Sequence, residues 1–302
     1  MLPFMVGPGD PSDLPEAGAV LGQLAEDPDG GTPHFVLLPD PFSCAVEPLL
    51  GLLDRTFPTS TKIGGLASGG RQPNGNLLWS GEEVTTEGAV GVALRGALLL
   101  ETLVAQGCRP IGQPVFVTSC RENLILELDG KRPLEVLQEI YETAEDRDRE
   151  LFRHSLFLGV GMREGETEYH VGDFLVRNLL RIDQTSGAIT VAAQPEQGTV
   201  VQFHLRDAVT SAEDLEAHLA DLSRETAPEG ALLFSCLGRG KRLYGQPDYD
   251  SRAFAARCGH VPLGGFFCNG EIGPVQGRTF LHGYTSSFGL FRAPPAESVD
   301  SD

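Results

Sequence analysis

The chain has 302 residues, enough for two domains that each bury a core of their own. Its 42 Asp and Glu against 23 Lys and Arg leave a formal charge of −19, which repels phosphate backbones and anionic lipid, so neither nucleic acid nor a membrane is an expected partner. No apolar run reaches the roughly 18 to 20 residues that span a bilayer. The six scattered cysteines and the absence of a basic leader point to a soluble chain in a reducing compartment, the cytoplasm or, for a longer precursor, the plastid stroma.

Met1 to Val6 reads as a short strand. Phe35 to Leu38 reads as a second that stops at Pro39-Asp40-Pro41, after which Val46, Leu49, Leu50 and Leu53 recur at helical spacing. The turn-rich Ile63-Gly64-Gly65-Leu66-Ala67-Ser68-Gly69-Gly70 follows, then an apolar strand from Gly88 to Leu94. Val115 to Thr118 and Leu124 to Leu128 form a hairpin around Arg121-Glu122-Asn123. Asp129-Gly130 leads into a helix with Pro133 in its first turn and Leu134, Leu137, Ile140 and Tyr141 as its apolar positions.

Asp146 to Glu150 reads as a polar break. Phe174 to Arg181 and Ala188 to Ala192 make a second hairpin, and Thr199 to Arg206 alternates like a strand. Thr210-x-x-Glu213 reads as a capping box opening a helix with Leu215, Leu219 and Leu222 inward, and Leu222 to Gly230 as a linker. In the last module the strand Leu232 to Phe234 breaks at Cys236-Leu237-Gly238-Arg239-Gly240. Asp250 caps a helix with Phe254 and Ala255 inward, and Leu263-Gly264-Gly265-Phe266-Phe267-Cys268-Asn269-Gly270 follows. A turn at Gly273-Pro274, a strand from Thr279 to Phe291 and a disordered tail from Pro294 complete the reading.

Strand, helix and Gly-Gly strand thus occur twice, with Phe35 and Leu232 at nearly equal distances ahead of Gly64-Gly65 and Gly264-Gly265. A duplication accounts for this, and the expected fold is α/β with an α+β tendency: two related halves, each a mixed or mainly antiparallel sheet packed with helices.

The chain lacks a phosphate-binding Gly-x-x-x-x-Gly-Lys-Ser/Thr loop, His-Glu-x-x-His, Cys-x-x-Cys and Gly-x-Ser-x-Gly, so no catalytic motif, metal site or cofactor is expected. Asp40, Ser68 and a histidine can be imagined as a triad, but no spacing favours it. The chemistry concentrates in the second copy. Ser235, Cys236 and Arg239 lie where a strand end runs into a glycine-flexed loop, and Arg239, Lys241 and Arg242 stand out against the acidic background as an anion-binding feature. Gly264 and Gly265 let another backbone or a ligand come close, Asn269 and Glu271 project from a tight turn, and His282 shares a strand face with Tyr284.

These strings, Leu233-Phe234-Ser235-Cys236, Gly238-Arg239-Gly240, Pro262 to Phe267, Asn269 to Gly273 and His282-Gly283-Tyr284-Thr285, resemble the C-terminal half of the FIST family, the F-box and intracellular signal transduction domain proteins. The resemblance extends through Val117-Thr118, Arg177-Asn178, Phe203 and Arg206-Asp207, and residues 1 to about 105, with Gly64-Gly65 and Ser68, look like a shortened N-terminal half. It implies an N-terminal-like domain over 1–107, a C-terminal-like domain over 108–293 and a tail over 294–302, with no F-box. It further implies an intracellular sensor of a small ligand, an amino acid or another small carboxylate, that signals to an unknown downstream protein.

In that reading a pocket where the halves join is lined by Ser235, Cys236, Arg239, Gly264, Gly265, Asn269, Glu271 and His282, with Gly64, Gly65 and Ser68 as the secondary set from the first half. Arg239 takes the carboxylate and Glu271 an ammonium. The alternatives are a cysteine-dependent enzyme using Cys236 and His282, and a protein-binding scaffold related to F-box substrate receptors.

Overall fold

In a computed structural model that describes residues 1–10, 21–22, 24, 31–163, 168–169, 172–222 and 228–294, the chain is a mixed α/β protein divided into two compact units. Met1–Ala105 and Leu215–Asp302 form the first and Gln106–Asp214 the second. The chain therefore leaves the first unit at 105/106 and returns to it at 214/215. Most of the linker expected over 222–230 and nearly all of the tail from Pro294 lie outside the described residues.

The first unit contains the duplication in full. β1 (Leu2–Val6), β2 (His34–Pro39), β3 (Lys62–Gly65) and β6 (Ala89–Leu94) stand in the sheet order β3-β2-β6-β1. β7 (Leu99–Ala105), β14 (Gly230–Cys236), β15 (Leu263–Cys268) and β18 (Ser286–Arg292) stand in the matching order β15-β14-β18-β7. In each set the first pair is parallel and the others antiparallel. α1 (Val46–Thr56) connects the parallel pair in the first copy, and α5 (Lys241–Tyr244) with α6 (Tyr249–Cys258) does so in the second. Each copy also carries a hairpin before its last strand. β4 (Leu78–Ser80) and β5 (Glu83–Thr85) make a separate two-stranded sheet, whereas β16 (Glu271–Val275) and β17 (Arg278–His282) extend the first sheet by pairing β16 with β3.

Strand alternation explains the layering. In β2, Phe35 and Leu37 pack with Leu49, Leu50 and Leu53 of α1, and Val36 and Leu38 turn the other way. In β14, Ala231 and Leu233 join Phe254 of α6 and Leu215 and Leu219 of α4 (Ala208–Leu222), while Leu232 and Phe234 turn the other way. The inward rows meet Ile63, Leu100 and Cys268 in a core between the two sheets, with Ile63 against Gly289. Helix, sheet, sheet, helix is the resulting order within this unit.

The two Gly-Gly pairs are out of step by one residue, so that Gly64 in the first copy stands where Gly265 does in the second. A Cβ on Gly64 would lie 1.9 Å from the Leu37 carbonyl oxygen, and one on Gly265 would lie 1.9 Å from that of Leu233. A parallel neighbour leaves no room for a side chain at either place. Gly265→Ala is therefore expected to lower unfolding free energy by roughly 2 to 4 kcal/mol in urea titrations. Gly264→Ala, whose Cβ meets only a Leu232 methyl at 3.6 Å, should stay within about 0.5 kcal/mol of wild type. Equal effects at the two positions would contradict the assigned packing.

The second unit is a closed six-stranded barrel, ordered β10-β11-β12-β9-β8-β13. It comprises β8 (Cys108–Arg121), β9 (Leu124–Leu128), β10 (Leu156–Gly161), β11 (Phe174–Ile182), β12 (Ile189–Val191) and β13 (Val200–Arg206), and closure leaves no sheet edge. Val117, Ile125, Leu158, Ile189, Val191, Val201 and Phe203 fill it, beneath α2 (Pro133–Thr143).

Several elements differ from the sequence reading. Residues Asp146–Phe152 form α3, a helix where a polar break was expected, and the continuous apolar run of β10 was not anticipated as a strand. Val136, absent from the expected helix face, is buried with Leu137, while Tyr141 is exposed. Asp207, not Thr210, caps α4: its carboxylate accepts the Val209 N–H at 3.0 Å and the Thr210 hydroxyl at 3.3 Å. Gly273 and Pro274 lie within β16 and the turn falls at Gln276-Gly277, both with positive φ. The strand expected over Thr279 to Phe291 is two strands, parted at Gly283-Tyr284, with Tyr284 at φ 67°.

Candidate functional site

β14 and β15 end side by side, with Cys236 opposite Cys268, and the loop after β14 sends Arg239 back into the protein. Its side chain, expected to face a ligand from a loop, is buried at 2% exposure. Nε donates to both Asp250 oxygens at 3.3 and 3.1 Å, and Nη2 donates to Asp250 Oδ1 at 3.0 Å and to the Tyr244 hydroxyl at 2.6 Å. Burial opposes the charge, but the adjacent Asp250 carboxylate outweighs it and holds the guanidinium above its ordinary pKa. Nη1 is buried and has no hydrogen-bond partner among the described residues.

Asp250 was expected as a helix cap. Asp248 takes the cap position, and the Asp250 carboxylate points inward, where Oδ2 also accepts the hydroxyls of Ser235 at 2.8 Å and Ser286 at 2.9 Å. Ala255, expected on the inner face with Phe254, is exposed. Ser235 and Arg239 are thus brought together through a shared acid that sequence reasoning assigned to another role.

Glu271 is wholly buried at the start of β16. Its Oε2 accepts the Thr285 N–H at 3.1 Å and the Thr285 hydroxyl at 2.8 Å, and Oε1 faces the Cys268 thiol at 3.6 Å. Desolvation raises its pKa to about 8 against the opposing pull of those hydrogen bonds and of Arg239. Near neutral pH the carboxyl is mostly protonated, a donor as well as an acceptor. Burial and then the neighbouring Glu271 push the Cys268 thiol far up, so it stays protonated.

His282 lies opposite Glu271 in the β16–β17 pair and bonds through Nε2 to the Gly273 carbonyl at 3.0 Å. Cys236 is buried, and its sulfur accepts the Gly238 N–H at 3.5 Å.

The first Gly-Gly segment meets the end of β15 and the start of β16. Gly65 pairs with Glu271, and a Cβ on Gly65 would lie 2.8 Å from the Cys268 sulfur. The Ser68 hydroxyl donates to the Leu66 carbonyl at 2.7 Å and accepts the Asn269 N–H at 2.9 Å, while Asn269 itself is exposed. Gly264 and Gly265 lie exposed on the edge strand, so Gly265 serves the backbone approach to β14.

The first copy has its own buried acid. Asp40 accepts the Ser43 hydroxyl at 2.7 Å, the Phe42 N–H at 3.1 Å and the Asn76 amide at 2.8 Å, and Asn76 in turn holds the Gly70 N–H at 2.6 Å. Asp40 therefore organises the glycine-rich loop, and the bonds of Ser68 run elsewhere than to it. Tyr244 and Ser286 escaped sequence reasoning, Asp250 was read only as a helix cap and Thr285 only as the end of a motif. The one available signal for Asp250 was that a buried Arg239 would need an acid.

Comparison with known proteins places these observations in a family. The FIST N domain model matches residues 4–131 and the FIST C domain model residues 133–274. An uncharacterized protein of Mycobacterium tuberculosis strain H37Rv is 42% identical over 258 residues, 85% of this chain and 67% of that protein. An uncharacterized protein of Mycobacterium bovis is 40% identical over 260 residues, with the same coverage. An F-box/LRR-repeat protein of Arabidopsis thaliana is 27% identical over 199 residues, 57% of this chain and 36% of that protein. FIST domains are associated with signal transduction and small-ligand sensing. No helix among the described residues is long and apolar enough to cross a membrane.

Proposed function

The chain belongs to the FIST family, and from that premise we propose that it is a small-ligand sensor whose ligand, an amino acid or another small carboxylate, completes the hydrogen bonding of Arg239. The observation that carries this reading is the buried, unpartnered Nη1 of Arg239. A buried donor without an acceptor costs about 1 to 3 kcal/mol, more on a cation, and a carboxylate oxygen is the acceptor that matches a guanidinium best. The Asp250 pair has already compensated the charge, so the ligand supplies an acceptor rather than a counter-ion. Glu271, largely protonated near neutral pH, meets an amino-acid ammonium only by giving up its proton, so carboxylates without an ammonium suit the cluster equally well.

A thermal-shift screen of the amino acids and of small mono- and dicarboxylates tests this. A true ligand at 100 times its dissociation constant adds about 2.7 kcal/mol to wild type. The gain should vanish in Arg239→Lys, which keeps a charge but loses the fork. A folded protein that none of these compounds stabilises would refute the reading. The alternative of a Cys236–His282 enzyme requires those side chains within about 3.2 Å of each other.

A further inference from the structure

β15 is an edge strand without the usual defences. Among the described residues it pairs with β14 alone, and Leu263-Gly264-Gly265-Phe266-Phe267-Cys268 contains neither charge nor proline, with Phe267 49% exposed and Phe266 partly so. Its free backbone groups follow from the ladder. Ala231 donates to the Pro262 carbonyl and Leu237 to that of Cys268, so every second residue from Pro262 turns toward β14, and Leu263, Gly265 and Phe267 turn outward.

The other copy shows what such an edge takes. Gly64, the equivalent of Gly265, faces Ile272 of β16, and the adjoining Leu66 N–H donates to the Gly270 carbonyl at 2.9 Å. The hairpin before the last strand of copy two therefore covers the Gly-Gly edge of copy one. The hairpin before the last strand of copy one, β4–β5, pairs with no other strand among the described residues. Its cross-strand partners Trp79 and Val84 form an exposed apolar pair, with Trp79 62% exposed, next to exposed Leu77.

We propose that in solution two copies of this chain exchange these elements, with the β4–β5 hairpin of each laid antiparallel on the β15 edge of the other. The internal β3–β16 pairing supplies the geometry, and an apolar hairpin face meets an apolar edge. Charge agrees with the direction. An antiparallel hairpin brings its acidic turn, Glu82 and Glu83, to the Leu263 end of β15, where exposed Arg257 and His260 precede the strand. Two chains of −19 repel at long range, so salt strengthens the dimer until that repulsion is screened.

Sedimentation of the full chain over a concentration series at physiological salt, with the fluorescence of Trp79, the sole tryptophan, tests this. The expected result is a concentration-dependent dimer whose formation shifts Trp79 emission to the blue. Phe267→Pro removes an outward-facing N–H, which an edge strand tolerates, and Trp79→Gln removes the hairpin's apolar group. Each alone should weaken association at least tenfold. Mixing the two variants should restore a heterodimer, because one retains an intact edge and the other an intact hairpin. Phe267→Lys replaces Phe267→Pro if the proline variant fails to fold.

A monomer up to millimolar protein with exposed-indole emission overturns the proposal, as does a dimer indifferent to both substitutions. A dimer lost in Phe267→Pro but kept in Trp79→Gln points to edge-to-edge pairing and overturns it too. A monomer whose Trp79 emission is already blue, and reddens in Phe267→Pro, shows the hairpin closing on its own chain and also overturns it.

Discussion

Replacing Asp250 with Asn is expected to remove about 3 to 5 kcal/mol of folding free energy, because it leaves the Arg239 cation buried without its counter-charge. The same change turns an amide N–H toward donors that the carboxylate had accepted, namely the hydroxyls of Ser235 and Ser286. The pair as a whole need not stabilise the fold, since desolvating two charges offsets much of their attraction. Hence the double variant Asp250→Leu with Arg239→Met should lose much less than Asp250→Asn alone. Chemical denaturation of the three proteins decides the matter. A loss below about 1 kcal/mol in the single variant would show that Arg239 is compensated from elsewhere.

Glu271→Gln is expected to change how stability depends on pH. The Glu271 carboxyl has its pKa raised from 4.5 to about 8 by burial, so between those values the folded protein holds a proton that the unfolded chain has released. Its favourable contribution is complete below pH 4.5 and is lost as pH rises toward and through about 8. Around it lie the Cys268 thiol, the Thr285 hydroxyl and the Arg239 guanidinium, all of which favour the ionised form without outweighing the burial that opposes it.

Gln copies the protonated acid but cannot ionise. Wild type and Glu271→Gln should therefore unfold alike near pH 4, and the variant should become more stable than wild type by several kcal/mol near pH 9. Subtracting the two profiles removes the background from the other acids of this −19 chain. A difference that stays flat across this range would mean that Glu271 is ionised in the folded state throughout.

Much of the fold was legible because it rests on local rules. The alternation of Phe35 to Leu38, the helical spacing of Val46 to Leu53 and the two Gly-Gly pairs suffice to identify a duplicated strand-helix-strand unit. The full extent of each copy was hidden, because β7 belongs with β14 only through a partner far along the chain: Leu99 opposes Arg292 in the β7–β18 pair. Residues 106–214 intervene between β7 and β14, and periodicity carries no trace of that nesting.

The site divides in the same way. Ser235, Arg239 and Glu271 stood out as polar groups beside glycine turns. Whether each faced solvent or the core depended on packing, and Asp250 two residues past a capping position reads as helix chemistry until Ser235 and Ser286 are seen beside it. Gly264 and Gly265, adjacent and chemically identical, have different neighbours: only Gly265 abuts a carbonyl. Sequence spacing alone cannot assign that difference.

The account turns on the unpartnered Nη1 of Arg239, and the most direct measurement follows that nitrogen. Protein labelled with [15N]arginine is titrated with the carboxylate that stabilises it most, and the Arg239 guanidinium resonances are recorded. The account predicts that the Arg239 Nη protons shift downfield and exchange more slowly with water as the site saturates. A ligand that saturates and stabilises the protein while the Arg239 resonances stay unchanged would contradict it.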